Sequence, residues 1–149
     1  MSYATGQALA LTQVKELSAF NDLNTSEGDW VIINKGYGVC AILHPGPFEH
    51  EQHGGGGSYV TNWTTFIDVW VTLVKYAEAQ ATLISVRDDL IDRFRKYRKM
   101  GDTTGSILDA SITSGNEVLQ IVPDGGGAAY LKQTLNLQWQ EVKIVTLAE

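Results

Sequence analysis

The amino-acid sequence predicts an α+β fold, in which two helices flank a mostly antiparallel sheet of about six strands in the order α-β-β-β-α-β-β-β. Three observations support this prediction. They are an alternating apolar run from Tyr59 to about Val74, an amphipathic pattern from about Ala77 to Met100, and three strand-like segments after Gly101. The length of 149 residues fits one domain, residues 1–149.

The first third of the chain is predicted to supply one helix and two short strands. Thr5 to Leu23 carries an apolar stripe at helical spacing, with Thr5 as the capping residue. Trp30 to Ile33 and Val39 to Leu43 are rich in β-branched and apolar side chains. Because Asn34 to Gly38 has turn chemistry, the two strands are predicted to form a hairpin.

Residues 44–58 are predicted to form a long flexible loop. This segment holds two of the three prolines, all three histidines and four consecutive glycines. His44, His50 and His53, with Glu49 and Glu51, are residue types that suit zinc, nickel or iron. No ligand pair is held on a helix or strand in this prediction, so a solvated polar loop is the favoured interpretation.

The long strand has two faces of different character. Trp63, Ile67, Val69 and Val71 lie on one side, which is the predicted core face. The second side is mixed, but it carries Phe66 and Trp70. The helix that follows has one strong apolar stripe, consisting of Leu83, Val86, Leu90, Ile91, Phe94 and Tyr97.

Three strands are predicted to close the chain: Ser106 to Thr113, Glu117 to Val122, and Tyr130 to about Leu147. In the last one, Leu131 to Trp139 places its apolar residues on one face. Val142 and Ile144 fall on the opposite parity, which predicts a β-bulge or a change of partner near Gln140 and Glu141.

Composition and charge narrow the functional classes. The net charge of −6 argues against a module that binds duplex DNA. The basic run Arg93 to Lys99 is short, and the apolar stripe interrupts it, so a helix C-terminal charge pattern or a subunit salt bridge is favoured over nucleic-acid binding. The single cysteine, Cys40, is predicted to be a buried small hydrophobe. The N-terminus resembles no signal peptide, and no apolar run approaches membrane-spanning length.

No catalytic constellation and no cofactor motif is evident, so the sequence predicts a protein that is not an enzyme and uses no cofactor. The surplus of apolar side chains on second strand faces instead indicates an oligomer or a docking surface. The candidate interface residues are Phe48, Phe66, Trp70, Val74, Arg93, Arg95, Val142 and Ile144.

Several segments resemble the tail terminator (tail completion) proteins of long-tailed bacteriophages. Tyr59-Val-Thr-Asn-Trp-Thr-Thr-Phe-Ile-Asp-Val-Trp-Val is similar to the central strand of that family, and Val86-Arg-Asp-Asp-Leu-Ile-Asp-Arg-Phe-Arg-Lys-Tyr is similar to its main helix. Ile107-Leu-Asp-Ala-Ser-Ile-Thr-Ser-Gly and Leu135-Asn-Leu-Gln-Trp-Gln-Glu-Val resemble its hairpin and final strand. The resemblance covers roughly residues 59–145, and it rests on pattern and order.

The resemblance implies a structural virion protein of the tail and neck, assembled in the host cytoplasm. Such a protein forms a ring, typically hexameric, that caps the tail tube, stops its elongation and meets the head connector. DNA passes through the lumen without specific binding, and no membrane is involved. The alternatives are another head–tail joining or adaptor protein, a monomeric binding module, and a small metal-binding enzyme that uses His44, His50 and His53.

Overall fold

The computed structural model of the protein describes residues 2–28, 38–52, 57–122 and 129–144. Two helices, α1 (Tyr3–Lys15) and α2 (Tyr76–Lys96), accompany six strands. The strands are β1 (Thr25–Glu27), β2 (Val39–Gln52), β3 (Ser58–Leu73), β4 (Ile107–Gly115), β5 (Leu119–Ile121) and β6 (Ala129–Ile144). The α+β class and the predicted element order are therefore confirmed. No helix in the described ranges is long and apolar enough to cross a membrane.

The sheet has the strand order β1-β2-β3-β6-β4, and β5 pairs with β6 beyond the end of β4. All pairings are antiparallel except that of β1 with β2. β3 and β6 pair along sixteen residues each without a register shift. They form the centre of the sheet, and this long pairing fixes which side chains share a face.

One side of the sheet, here called the core face, packs against both helices. Trp63, Thr65, Ile67, Val69 and Val71 of β3 point to this face. The hydrophobic core joins this side of the strands to Ala10 and Val14 of α1 and to Leu83, Val86, Leu90 and Phe94 of α2. The strand β6 contributes four residues of its core face to this core, namely Leu131, Leu135, Leu137 and Trp139. The predicted core face is thus confirmed, and so is the predicted helix stripe at Leu83, Val86, Leu90 and Phe94, whereas Ile91 and Tyr97 are only partly buried and lie outside this core.

α1 approaches the sheet closely because it carries a glycine where it crosses Trp139. A Cβ on Gly6 would lie 2.1 Å from ring carbon Cη2 of Trp139. Nearby, the Tyr3 hydroxyl shares a hydrogen bond with Thr65 Oγ1 at 2.8 Å, and Trp139 Nε1 donates to the same oxygen at 3.1 Å. This small polar group fixes the start of α1 over the sheet centre.

The prediction of a loop over residues 44–58 is wrong for residues 44–52, which continue β2, and for Ser58, which begins β3. The backbone of β2 pairs with β3 from Val39 to Gln52, with a register shift between Pro45 and Phe48. The prolines are tolerated because they fall at or inside this irregularity, where ladder hydrogen bonds are interrupted. His53 and Gly54 to Gly56 lie outside the described residues.

The first helix is shorter than predicted. α1 ends at Lys15 rather than near Leu23, and Ser2 instead of Thr5 is its N-cap. Asn24 binds the backbone of Ala19 and of Asn21, and this local network competes with a continuing helix. The predicted strand Trp30 to Ile33 and most of its hairpin turn lie outside the described residues.

The predicted irregularity near Gln140 and Glu141 is not in β6. That strand keeps one alternation against β3 throughout, and the extra residue instead belongs to β4, between Ile107 and Asp109. Glu141 takes the next position on the core face and is 4% exposed. The parity of the apolar residues changes because a buried carboxylate occupies a position that usually holds an apolar residue.

α2 also ends earlier than predicted, at Lys96. The Tyr97 N–H still donates to the Arg93 carbonyl at 2.9 Å, but the chain then turns. Met100 and Gly101 have φ angles of 52° and 76°, in the left-handed region that stops a helix. The Met100 side chain is fully buried, which anchors this turn to the core.

Candidate interaction surface on the open face of the sheet

The second side of the sheet is here called the open face. Within the described ranges, both helices pack on the core face, and the hydrophobic cluster beneath them includes none of the even-numbered residues of β3, although Val60, Thr64 and Asp68 are buried. On β3, the middle of the open face is formed by Phe66, Asp68 and Trp70. Neighbouring strands add His44 from β2 and Lys132 from β6 to the same face. This is the face on which the sequence placed unassigned apolar side chains.

A charged cluster crosses the middle of the open face. His44 Nε2 bonds Asp68 Oδ2 at 2.8 Å, and Thr134 Oγ1 donates to Asp68 Oδ1 at 2.5 Å. Lys132 Nζ lies 3.8 Å from the same carboxylate, which is nearly buried. Because a buried carboxylate needs such partners, the cluster ties β2, β3 and β6 together. It also leaves the His44 ring and the Lys132 ammonium group partly exposed, with 37% and 27% of their side-chain surface accessible.

Next to this cluster lies an aromatic and aliphatic patch, here called the open-face patch, formed by Trp70, Leu119, Ile121, Tyr130 and Lys132. Trp70 and Tyr130 meet edge to face with ring centroids 6.0 Å apart, and Lys132 Nζ sits 4.9 Å from the Trp70 ring centroid. Lys132 pairs with Trp70 on one side and with Leu119, which is 45% exposed, on the other. The patch is therefore apolar, with one cation at its centre.

Phe66 occupies the middle of the open face, below the irregular part of β2. A Cβ on Gly46 would lie 3.0–3.1 Å from two carbons of the Phe66 ring and 3.1 Å from Thr64 Cγ2. The Pro45 to Pro47 arch thus leans over this face and partly covers Phe66. Beyond the arch, a polar groove of about 410 Å³ runs toward Asn62 and Gln138.

The other candidate interface residues from the strands lie apart from the patch. Val74 is 85% exposed in the turn between β3 and α2. Val142 pairs with Val60, and Ile144 is 81% exposed at the opposite end of the sheet. Phe48 is 54% exposed and lies on the core-face side, where its ring is 5.2 Å from that of Trp63. The eight predicted residues therefore do not form one continuous surface.

The two arginines differ in their surroundings. Arg93 Nε donates to Gln13 Oε1 at 2.9 Å, and its guanidinium lies 3.7 Å from the Tyr97 ring centroid. These contacts join α2 to α1 within one chain. Arg95 is exposed and lies 3.5 Å from Asp92, one turn away on the same helix. Such an exposed pair contributes little to stability and leaves Arg95 accessible.

The structure separates the histidines that sequence analysis considered together. His44 is on the open face, whereas His50 is on the core-face side and bonds Thr61 Oγ1 at 2.8 Å. His53 lies outside the described residues. In the parts of the chain that the structure describes, no group of three or more His, Cys, Asp or Glu residues is placed to hold a metal ion.

Cys40 is fully buried on the open-face side of β2 and forms no disulfide. Burial, together with the nearby Asp68 carboxylate, raises the pKa of the Cys40 thiol to about 12. A thiol with this pKa stays protonated near neutral pH, which makes it a poor nucleophile. The prediction that Cys40 is a buried small hydrophobe agrees with this environment.

Comparison with known proteins adds little to this geometry. No protein-family model matches the chain, and no curated protein matches it. The chain is similar to a solved structure of a protein that carries no functional description, with 12% identity and a TM-score of 0.49 over 99% of each chain. A likeness at this level says nothing about function.

Four members of the open-face patch were missed by sequence reasoning, namely Leu119, Ile121, Tyr130 and Lys132. The sequence shows which residues of β5 and β6 share a face. It does not show the strand order that brings those residues beside Trp70. The cluster around Asp68 was missed for the same reason, because His44 was assigned to a loop. A polar residue in the middle of an apolar strand was the one available signal for Asp68.

Proposed function

We propose that this protein is a tail terminator of a long-tailed bacteriophage. It forms a ring of identical subunits, hexameric by the resemblance of the sequence, that caps the tail tube, stops its elongation and presents a surface to the head connector. The observation that carries the proposal is the open-face patch. Both helices pack on one side of the sheet, and the other side carries the partly buried Trp70 and Tyr130 pair beside the exposed Leu119.

Two further features support a structural role. The Asp68 cluster and the continuous pairing of β3 with β6 make the open face rigid, which suits a surface that must present a fixed geometry to a partner. The net charge of −6 suits a ring whose lumen lets DNA slide past, because like charges do not adhere.

The same contacts disfavour the alternative of a metal-dependent enzyme that uses the three histidines. His44 and His50 lie on opposite faces of one strand, and each already has a hydrogen-bond partner in its own chain. An adaptor at the head–tail junction is a closer alternative, since it would use a ring and a similar surface.

The test is polymerisation of purified tail-tube protein in the presence of increasing amounts of this protein, followed by negative-stain electron microscopy. A terminator shortens the tubes in a dose-dependent way and adds ring-shaped density at one end. Tubes of unchanged length with bare ends would overturn the proposal. Binding to the connector without any effect on the tubes would identify an adaptor instead.

A further inference from the structure

The open-face patch has a counterpart on the outer side of α2. Ala77, Ala81, Ile84, Asp88 and Ile91 follow one another at three- and four-residue intervals, so they share one side of the helix. Ile84 is 40% exposed, and of the five only Ile91 is partly buried. These residues are here called the outer stripe. It is separate from the buried stripe that packs on the sheet.

The two surfaces have matching character. The open-face patch is apolar with one cation, Lys132, and the outer stripe is apolar with one anion, Asp88. Among the residues that the structure describes, each of these charges has one ion-pair partner in its own chain. Lys132 Nζ is 3.8 Å from Asp68, and Asp88 is 3.3 Å from its neighbour Arg87. Opposite charges inside facing apolar surfaces fix the register of an interface and reject wrong partners.

We propose that the open-face patch of one copy binds the outer stripe of α2 in a second copy of this chain, with Lys132 facing Asp88. This inference rests on the proposed function, because a closed ring of identical subunits requires a head-to-tail contact between two different surfaces of each chain. The outer stripe runs from Ala77 to Ile91 and is thus about 21 Å long on α2.

The first experiment blocks one surface in each of two variants. Leu119→Asp places a charge in the open-face patch, and Ile84→Lys places one in the outer stripe. Both side chains are substantially exposed, so the fold should survive. Each variant alone is expected to lose association at least about tenfold. An equimolar mixture should form dimers and nothing larger, since one good patch and one good stripe remain.

The matched control is Thr82→Lys, which adds the same charge to α2 at an exposed position that is not three or four residues from any member of the outer stripe. This variant should assemble like the unmodified protein. A second experiment reverses the charge pair. Lys132→Glu and Asp88→Lys should each weaken association, and both changes in one chain should restore it. Analytical ultracentrifugation reads out the species, and circular dichroism verifies that every variant is folded.

The outcomes separate this contact from the terminator function. Heterodimers in the mixture and rescue by charge reversal support the contact, even if tail tubes grow unchanged, a result that would reject termination alone. Assembly of the unmodified protein with a mixture that stays monomeric, or with no loss in either single variant, overturns the contact and leaves ring formation standing. An unmodified protein that stays monomeric at every concentration also overturns the contact.

Discussion

At the scale of single residues, Gly6 decides how closely α1 packs on the sheet. A side chain there would overlap the Trp139 ring, since the Cβ position is 2.1 Å from Cη2 and 2.6 Å from Cζ3. Sequence reasoning placed Gly6 inside a helix, where glycine is unfavourable. Only the position of Trp139 explains its presence.

Gly6→Ala should lower the free energy of unfolding by about 1–3 kcal/mol, as overpacking does in cores. The comparison variant is Ala8→Gly, at an exposed position of the same helix. There alanine should be the better residue by about 1 kcal/mol, through helix propensity alone. Urea unfolding of both variants should therefore show a loss of stability in each, because glycine is the better residue at position 6 and alanine is the better residue at position 8. A Gly6→Ala protein as stable as the parent would contradict the close approach of α1.

Glu141 is a buried carboxylate whose surroundings should lower the stability of the fold. It is 4% exposed on the core face, and its Oε2 atom has no hydrogen-bond partner in the described chain. Glu141→Leu should therefore raise the free energy of unfolding by about 1–3 kcal/mol, the usual cost of an unsatisfied buried polar group. Glu117→Leu, at an exposed position, should change it by less than about 0.5 kcal/mol. Equal effects in thermal unfolding would refute this account of Glu141.

Asp109 should contribute to the acid sensitivity of the fold. Two hydrogen bonds from Arg98, both 2.6 Å long, hold the pKa of Asp109 below its ordinary value of 3.8. A lowered pKa in the folded state gives stability that is complete above pH 3.8 and is lost as the pH falls through the folded-state pKa. Asp109→Asn should thus show a smaller drop in urea midpoint between pH 7 and pH 2.5.

Arg98→Gln should also reduce the drop in urea midpoint between pH 7 and pH 2.5, because removing either Arg98 or Asp109 abolishes the ion pair. Both exposed groups are screened by solvent, so the change is expected to be modest. A variant with the full acid sensitivity of the parent would show that this pair does not hold its geometry in solution.

At the scale of elements, the exit of α1 and the start of β2 are joined by one buried side chain. Asn24 is 0% exposed; its Nδ2 donates to the carbonyls of Ala19 and Val39 at 2.8 and 3.1 Å, and its Oδ1 accepts from the Asn21 N–H at 2.7 Å. The sequence showed turn chemistry here but not this bridge. β2 itself was recognised only to Leu43, because glycine and proline obscured the alternation that continues beyond them.

Asn24→Ala should destabilise the fold by about 2–3 kcal/mol, since several buried backbone groups lose their partner. Asn21→Ala removes only an exposed hydrogen bond to the Leu23 N–H and should cost less than about 1 kcal/mol. Chemical unfolding compares the two variants directly. Similar losses in both would mean that the bridge to β2 is unimportant.

At the scale of the whole molecule, we expect the open face to govern association rather than folding. Trp70 is partly buried within the open-face patch and is absent from the core beneath the helices. The face also carries the Asp68 cluster, so its geometry does not depend on Trp70 alone. A large aromatic residue at the centre of a patch is the type that most often dominates an interface.

Trp70→Asp should weaken assembly at least about tenfold while leaving most of the unfolding free energy intact. Thr113→Asp, at an exposed position of β4, is the control and should change neither property. Sedimentation velocity measures assembly, and urea unfolding measures stability. Equal losses of assembly and stability would place Trp70 in the folding core and remove it from the interface.

The sequence alone determined the α+β class, the order of the elements, the core face of β3 and the apolar stripe of α2. Those features follow from local periodicity, which each segment carries within itself. Only the tertiary structure decided that β2 continues past Pro45, that Glu141 is buried, and that Lys132 and Leu119 flank Trp70. These depend on which strands pair and in which register, and that is settled by contacts between residues far apart in the chain.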